Sequence, residues 1–141
     1  MKYTFKIHND PDGYWAECVE LDGCVTQGDS QEELEKNMSE ALNLYLEERP
    51  GSNMVDPLPL EIPPVGNEYV QIQVDPEIAF SVVLRYTRRQ HGMTQKEVAE
   101  KLGAKSLFGY QRYEARSNPK LSTIRKLLEI FPDFPVDLVL N

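Results

Sequence analysis

Apolar and polar residues alternate at the start of the chain, where Tyr3, Phe5 and Ile7 are separated by Thr4, Lys6 and His8. A period of two belongs to a strand with one face on a core. Asn9-Asp10-Pro11-Asp12-Gly13 follows with turn chemistry, Pro fixing φ and Gly accepting positive φ. Residues 14–20 and 24–27 read as two more strands, parted by a turn at Leu21-Asp22-Gly23, so the first three form a meander. The period then lengthens. Ser30 with Glu33 makes a capping box, and Leu34, Met38, Ala41, Leu42 and Tyr45 recur at helical spacing up to Arg49-Pro50. This helix is expected to cover one face of the sheet. Residues 50–67 hold Pro50, Pro57, Pro59, Pro63 and Pro64, the composition of an extended connector. Beyond it, Val70, Ile72 and Val74 alternate with Gln71 and Gln73, and a fourth strand returns to the sheet.

From Asp75 onward the spacing is helical throughout. Asp75-Pro76 places an N-cap before Pro at a first helical position, and Ala79, Val82, Val83 and Tyr86 continue at i, i+3, i+4, i+7 until Gly92. Thr94-Gln95-Lys96-Glu97 is a second capping box, with Val98, Ala99 and Leu102 as the apolar side of a short helix that Gly103 ends. A third helix begins after Ser106, with Leu107, Tyr110 and Tyr113 on its inner face and Phe108, Gln111, Arg112 and Ala115 on its outer one. Ser122 is expected to cap a helix containing Ile124, Leu127, Leu128 and Phe131, and Val136, Leu138, Val139 and Leu140 form an apolar tail. That tail either packs under a four-helix bundle or forms a dimer seam. The pattern predicts an α+β protein of two modules, 1–74 and 75–141.

Charge sharpens the division. The chain of 141 residues has a net charge of −8. Residues 1–68 hold four basic against 15 acidic residues, a net of −11, whereas residues 69–141 hold 11 against eight, a net of +3. Within 79–126 the balance reaches +8. An acidic half and a basic segment point to different partners. No run approaches the ~20 apolar residues of a membrane span, and the opening residues lack an apolar signal core. A cytoplasmic protein without membrane contact is expected.

Few residues are candidates for chemistry. Cys18, Cys24, His8 and His91 are the only cysteines and histidines, too few for a zinc pattern, and the thiols read as small buried hydrophobes. Divalent-metal phosphodiester hydrolysis needs converging carboxylates. Asp10, Asp12, Asp22 and Asp29 instead fall in turns or at a cap, and Glu32, Glu35, Glu40 and Glu47 spread over the helix surface. No catalytic residue, metal or cofactor is expected.

The strand-strand-strand-helix-strand order, with Gly13-Tyr14-Trp15-Ala16-Glu17 and Leu21-Asp22-Gly23-Cys24-Val25-Thr26-Gln27-Gly28-Asp29, resembles the N-terminal domain of HicB antitoxins of the HicA/HicB toxin-antitoxin family. The resemblance implies a partial ribonuclease-H-like β-β-β-α-β domain without catalytic carboxylates that occludes the active site of a small HicA-like RNA-cleaving toxin. An acidic surface also suits a basic partner, since complementary fields steer encounter. Tyr14 and Trp15 are the toxin-binding candidates, because such aromatics dominate hot spots. As adjacent strand residues, at least one of them should face the covered side of the sheet.

In the second module, Gly92-Met93-Thr94-Gln95-Lys96-Glu97-Val98-Ala99-Glu100-Lys101-Leu102-Gly103, then Tyr110-Gln111-Arg112-Tyr113-Glu114 and Asn118-Pro119, resembles the helix-turn-helix of Xre and lambda-repressor-like proteins. Residues 104–109 are one longer than that family's usual turn and helix start, and Gly109 lowers helix propensity. Gln95 is expected to donate to a phosphate beside its helix N-terminus, and Lys105 and Ser106 to contact phosphates or base edges. On the recognition helix, Gln111 can pair with adenine, Arg112 with guanine or phosphate, and Phe108 with a thymine methyl. The two resemblances imply an antitoxin that masks its toxin and represses its own promoter, as a homodimer or higher homo-oligomer. A stand-alone repressor whose first domain senses a ligand is the alternative, and it requires a sizeable apolar pocket.

Overall fold

A computed structural model describes residues 1–47 and 55–141. The Arg49-Pro50 helix end and the first part of the Pro-rich connector lie outside the described residues. The chain divides into two compact units: unit 1, Met1–Leu46 with Pro57–Asp75, and unit 2, Glu47–Asp56 with Pro76–Asn141.

Unit 1 is one antiparallel sheet and one helix, in the order β1 (Lys2–Asp10), β2 (Gly13–Cys18), β3 (Val25–Gly28), α1 (Gln31–Leu46), β4 (Tyr69–Gln73). The sheet order is β3-β2-β1-β4, so the returning strand lies beside the first. Strand β2 stops at Cys18, short of the expected Glu20, because the Glu20 carboxylate turns back to accept the Thr4 N–H at 2.9 Å. Helix α1 starts where its cap predicts. Ser30 Oγ accepts the Glu33 N–H at 3.1 Å, while the Glu33 carboxylate accepts the Asp29 N–H, also at 3.1 Å. Its buried stripe, Leu34, Met38, Leu42 and Leu46, repeats every four residues and packs on the sheet face that carries Tyr3, Phe5, Ala16 and Cys18. Gly28 permits this approach: a Cβ there would lie 2.7 Å from the Leu34 nitrogen and 2.9 Å from its Cα.

Unit 2 holds five helices among the described residues: α2 (Pro76–Gln90), α3 (Gln95–Leu102), α4 (Leu107–Ala115), α5 (Leu121–Ile130) and α6 (Val136–Leu140). The apolar tail is itself helical, so the unit has one helix more than a four-helix bundle. Helix α2 is buried almost all round, through Ile78, Ala79, Val82, Val83 and Leu84 but also Ser81, Arg85, Thr87 and Arg88, and both α4 and α6 pack on it. Helix α5 begins at Leu121, and Ser122 does not cap it. The backbone carbonyl of Lys120 takes the first helical bonds, from Thr123 N–H at 2.9 Å and Ile124 N–H at 3.1 Å, which leaves Ser122 inside the first turn. No helix among the described residues is long and apolar enough to cross a membrane.

Candidate nucleic-acid interface

Helix α3 is fixed at both ends by its own sequence. Thr94 Oγ1 accepts the Glu97 N–H at 3.1 Å, and the Glu97 carboxylate accepts the Thr94 N–H at 3.2 Å. At the other end Gly103 takes φ 69°, a left-handed conformation that Gly enters without a Cβ penalty. Helix α4 starts at Leu107, with Ser106 Oγ accepting the Gly109 N–H at 3.0 Å. The helix therefore begins directly after Ser106 and runs through Tyr110 to Ala115.

The inward face of α4 differs from the expected one. Tyr110 is buried, as expected, but Leu107 is 44% exposed and Glu114 only 2% exposed. A carboxylate occupies the place expected of an apolar side chain, and its partners explain why. Arg88 on α2 donates to it through Nε at 2.7 Å and Nη2 at 3.0 Å, the forked geometry that makes Arg–carboxylate pairs strong. Tyr110 donates its hydroxyl to the same carboxylate, and Gln95 donates its side-chain amide at 3.1 Å. Arg88 also donates to the Met93 carbonyl at 2.9 Å, and Arg85 donates to the Glu114 carbonyl. Burial, reinforced by the adjacent Glu114 charge, pushes the Tyr110 hydroxyl far above its ordinary pKa, so it remains an O–H donor. The Arg88–Glu114 pair is hydrogen-bonded on both sides, the condition under which a buried ion pair is tolerated.

The cluster extends to the surface through two glutamines. Because the Glu114 carboxylate only accepts, the Gln95 amide nitrogen must face it. The Gln95 oxygen then accepts from Gln111 Nε2 at 3.0 Å. Gln111 is therefore partly buried and held, not simply solvent-facing as its helical position predicts. This contact uses one of its N–H donors and leaves the other, with the carbonyl oxygen, for a base edge. Gln95 likewise retains one N–H.

The remaining candidates are on the outside. Phe108 is 66% exposed, and Lys105, Ser106 and Arg112 are exposed. The Arg112 guanidinium makes no ion pair among the described residues, since Glu114 is committed to Arg88. Beside the N-terminus of α3 lies a basic concavity of about 460 Å³, lined by Arg88, Arg89, Gly92, Met93, Thr94, Gln95 and Lys96. Backbone N–H groups and cations there favour an anion such as a phosphate. Arg88, Arg89 and Lys96 are basic residues of the second module that are not among its DNA-contact candidates. The i, i+3, i+4 pattern marks positions on one helix but carries no information on which basic residue another helix will bury.

On unit 1, Trp15 lies on the sheet face away from α1, its ring stacked on His8 at 3.9 Å and 12°. His8 Nε2 is 3.3 Å from a Glu17 carboxylate oxygen. Tyr14 is on the helix side but at the sheet end, beside a polar cleft formed with Asn9, Asp10, Pro11, Asp12, Gly13, Asp29 and Gln31. Neither aromatic is fully buried. Trp15, Asp10, Val25, Thr26 and Gln27 line an open depression of about 590 Å³, more polar than a ligand-sensing apolar pocket would be. Among the described residues no three His, Cys, Asp or Glu side chains converge on a metal position.

Comparison with known proteins agrees with both units. A helix-turn-helix family model matches residues 84–138. The antitoxin HicB 1 of Photorhabdus laumondii is 28% identical over 128 residues, covering 90% of this chain and 79% of that protein. UPF0150 proteins of Archaeoglobus fulgidus and Thermoplasma acidophilum are each 46% identical over 48 residues, 33% of this chain and 70% of theirs. With UPF0150 relatives, a helix-turn-helix match over residues 84–138 and a HicB antitoxin that aligns with 90% of the chain, the chain belongs to the HicB-type antitoxin family, in the form that carries a helix-turn-helix module.

Proposed function

We propose that the protein occludes the active site of a HicA-like RNA-cleaving toxin through unit 1 and represses its own operon by binding promoter DNA through unit 2. The observation that carries the second part is the Arg88–Glu114–Gln95–Gln111 chain, which holds a base-reading amide at the surface beside the unpaired Arg112. Helix α4 enters the major groove, with Gln111 on adenine, Arg112 on guanine or phosphate and Phe108 against a thymine methyl. Gln95, Lys105 and Ser106 contact the flanking backbone. The Ser106 oxygen is occupied as a cap, so its hydroxyl proton is what it offers a phosphate. A second copy supplies the other half-site, through the exposed apolar side chains Leu121, Leu128 and Leu140.

Toxin binding uses the open face of the sheet. Trp15 in its stack with His8, together with Val25 at 53% exposure, gives an aromatic and apolar anchor within an acidic half-chain. A basic, RNA-cutting partner fits that combination. The protein performs no catalysis of its own, and its place of action is the cytoplasm.

Full-length protein is expected to retard its own promoter DNA and to protect RNA from the toxin. Arg112→Ala should lose the first property and keep the second, and Trp15→Ala the reverse. Failure of the wild type to retard promoter DNA removes the repressor role. Mg²⁺-dependent RNA cleavage by the protein alone, lost on substitution of its carboxylates, would replace masking by catalysis.

A further inference from the structure

The two cysteines have no part in DNA or toxin binding as described above, yet the sheet places them together. The β2–β3 register runs from Tyr14↔Gly28 to Glu17↔Val25, and one step further sets Cys18 opposite Cys24. The Cys18 N–H donates to the Cys24 carbonyl at 2.9 Å, so the ladder continues through this pair. Directly opposed residues of an antiparallel ladder share a face, with Cα atoms about 4.5–5.5 Å apart. A disulfide spans Cα separations of about 4.4–6.8 Å. The bond can therefore form without a change in the backbone. Both thiols are free and lie under α1, Cys18 at 7% and Cys24 at 3% exposure.

We infer that Cys18 and Cys24 are a modification site, a cross-strand dithiol that a low-molecular-weight disulfide converts reversibly to an intramolecular disulfide. The two thiols are chemically unlike. Contact with the Cys24 thiol raises the Cys18 pKa, with burial adding to it. The same contact lowers the Cys24 pKa against the opposing effect of burial. The Cys18 thiol also donates to Glu20 Oε1 at 3.7 Å and keeps its proton beside that carboxylate, so Cys24 is the attacking thiolate. It attacks one sulfur of the oxidant, the oxidant's S–S bond breaks, and one small thiolate leaves with the electron pair. Cys18 then passes its proton to the Glu20 carboxylate, whose Oε1 is 3.7 Å from its sulfur, and attacks Cys24. The mixed disulfide breaks and a second small thiolate leaves. Two protein thiols are oxidised and one disulfide is reduced to two thiols, so the step balances.

The pair sits at a structural junction. Glu20 also accepts the Thr4 N–H at 2.9 Å and the Leu60 N–H at 3.4 Å, and Tyr45 on α1 donates its hydroxyl to the Asp22 carbonyl at 2.7 Å. Oxidation thus locks the turn from which β1, α1 and the segment after Pro57 are all held. Burial makes entry slow and selective, in keeping with the transient redox role usual for intracellular disulfides.

The test uses full-length protein, oxidised glutathione and intact mass, followed by unreduced peptide mapping. The wild type should lose two hydrogens, with residues 18 and 24 in one linked peptide, and regain them with dithiothreitol. Cys18→Ser should stop at a glutathione adduct on Cys24, and Cys24→Ser should form its adduct more slowly. Ring closure in guanidinium but not in the folded protein would overturn the inference. So would stable adducts on both cysteines of the folded wild type, or Cys24→Ser reacting as fast as Cys18→Ser. None of these readouts depends on toxin or DNA.

Discussion

Among the described residues unit 1 buries no carboxylate and packs an apolar stripe against the sheet, whereas unit 2 places a carboxylate and two guanidinium groups inside. The stability of unit 1 rests on close packing, as in the Gly28–Leu34 approach of sheet and helix. That of unit 2 rests equally on a polar cluster that must remain complete. Under the proposed function, the difference follows from what each surface has to do. A masking surface needs shape and charge, which a sheet face supplies without internal polar groups. A base-reading surface needs amide and guanidinium groups held in fixed orientation, and orientation is transmitted by hydrogen bonds from within. Deleting a member of the cluster should therefore damage both folding and reading in unit 2, while deleting contacts in unit 1 should leave reading intact.

The largest expected effect is that of Glu114→Ala, which strands Arg88 without its partner and should cost about 3–5 kcal/mol in the denaturant unfolding of unit 2. An unchanged transition would mean that the cluster contributes nothing, and the contrast between the units would fail. Gly28→Ala should destabilise unit 1 by about 1–3 kcal/mol, because the new methyl meets backbone atoms of α1 that cannot turn aside. Promoter retardation by this variant should match the wild type when both are folded, which tests the independence of the two units.

Gln111→Ala should cost about 1–3 kcal/mol in operator binding and relax preference at one base position. Gln95→Ala should have a smaller effect of the same kind, since it removes the hold on Gln111 and not the contact itself. Equal discrimination by Gln111→Ala and the wild type in a competition titration would place the wrong face of α4 in the groove. For Lys105→Ala the affinity should fall evenly across sequences and the salt slope decrease by about 1.

The smallest effect concerns pH. The Asp133 carboxyl sits below its ordinary value of 3.8, chiefly because His91 Nε2 hydrogen-bonds it at 2.9 Å. A depressed carboxyl contributes stability that is present above the ordinary value and lost as pH falls through the lowered one. Asp133→Asn should accordingly melt slightly below the wild type at neutral pH, and the two Tm values should converge in acid. A gap that persists in acid would assign the effect to packing of the turn after α5.

Much of this protein was legible before any coordinates. Alternation with period two marked β1 and β4, because a strand with one covered face must show it. Ser30, Thr94 and Ser106 with Gly103 set the ends of α1, α3 and α4, since capping is chemistry between residues three or four apart. Local signals were weaker where a backbone carbonyl did a side chain's work, as at Lys120 in place of Ser122. The candidate surface residues Lys105, Phe108 and Arg112 were also found, because an exposed helical position is defined by its own turn.

What the sequence by itself determined was what a short repeat carries: strands β1 and β4, helices α1 to α4, the caps at Ser30, Thr94 and Ser106, and the division of charge between the two halves. Only the tertiary structure decided the partners. Glu114 reads as one more polar helix position until Arg88, 26 residues earlier, is brought within 2.7 Å of it. Gln95 and Gln111 are 16 residues apart with nothing local to join them. Cys18 and Cys24 become a pair only once the β2–β3 register is set. Hydrogen-bond partners are chosen by distance in space, and that distance is fixed when elements pack, not when they form.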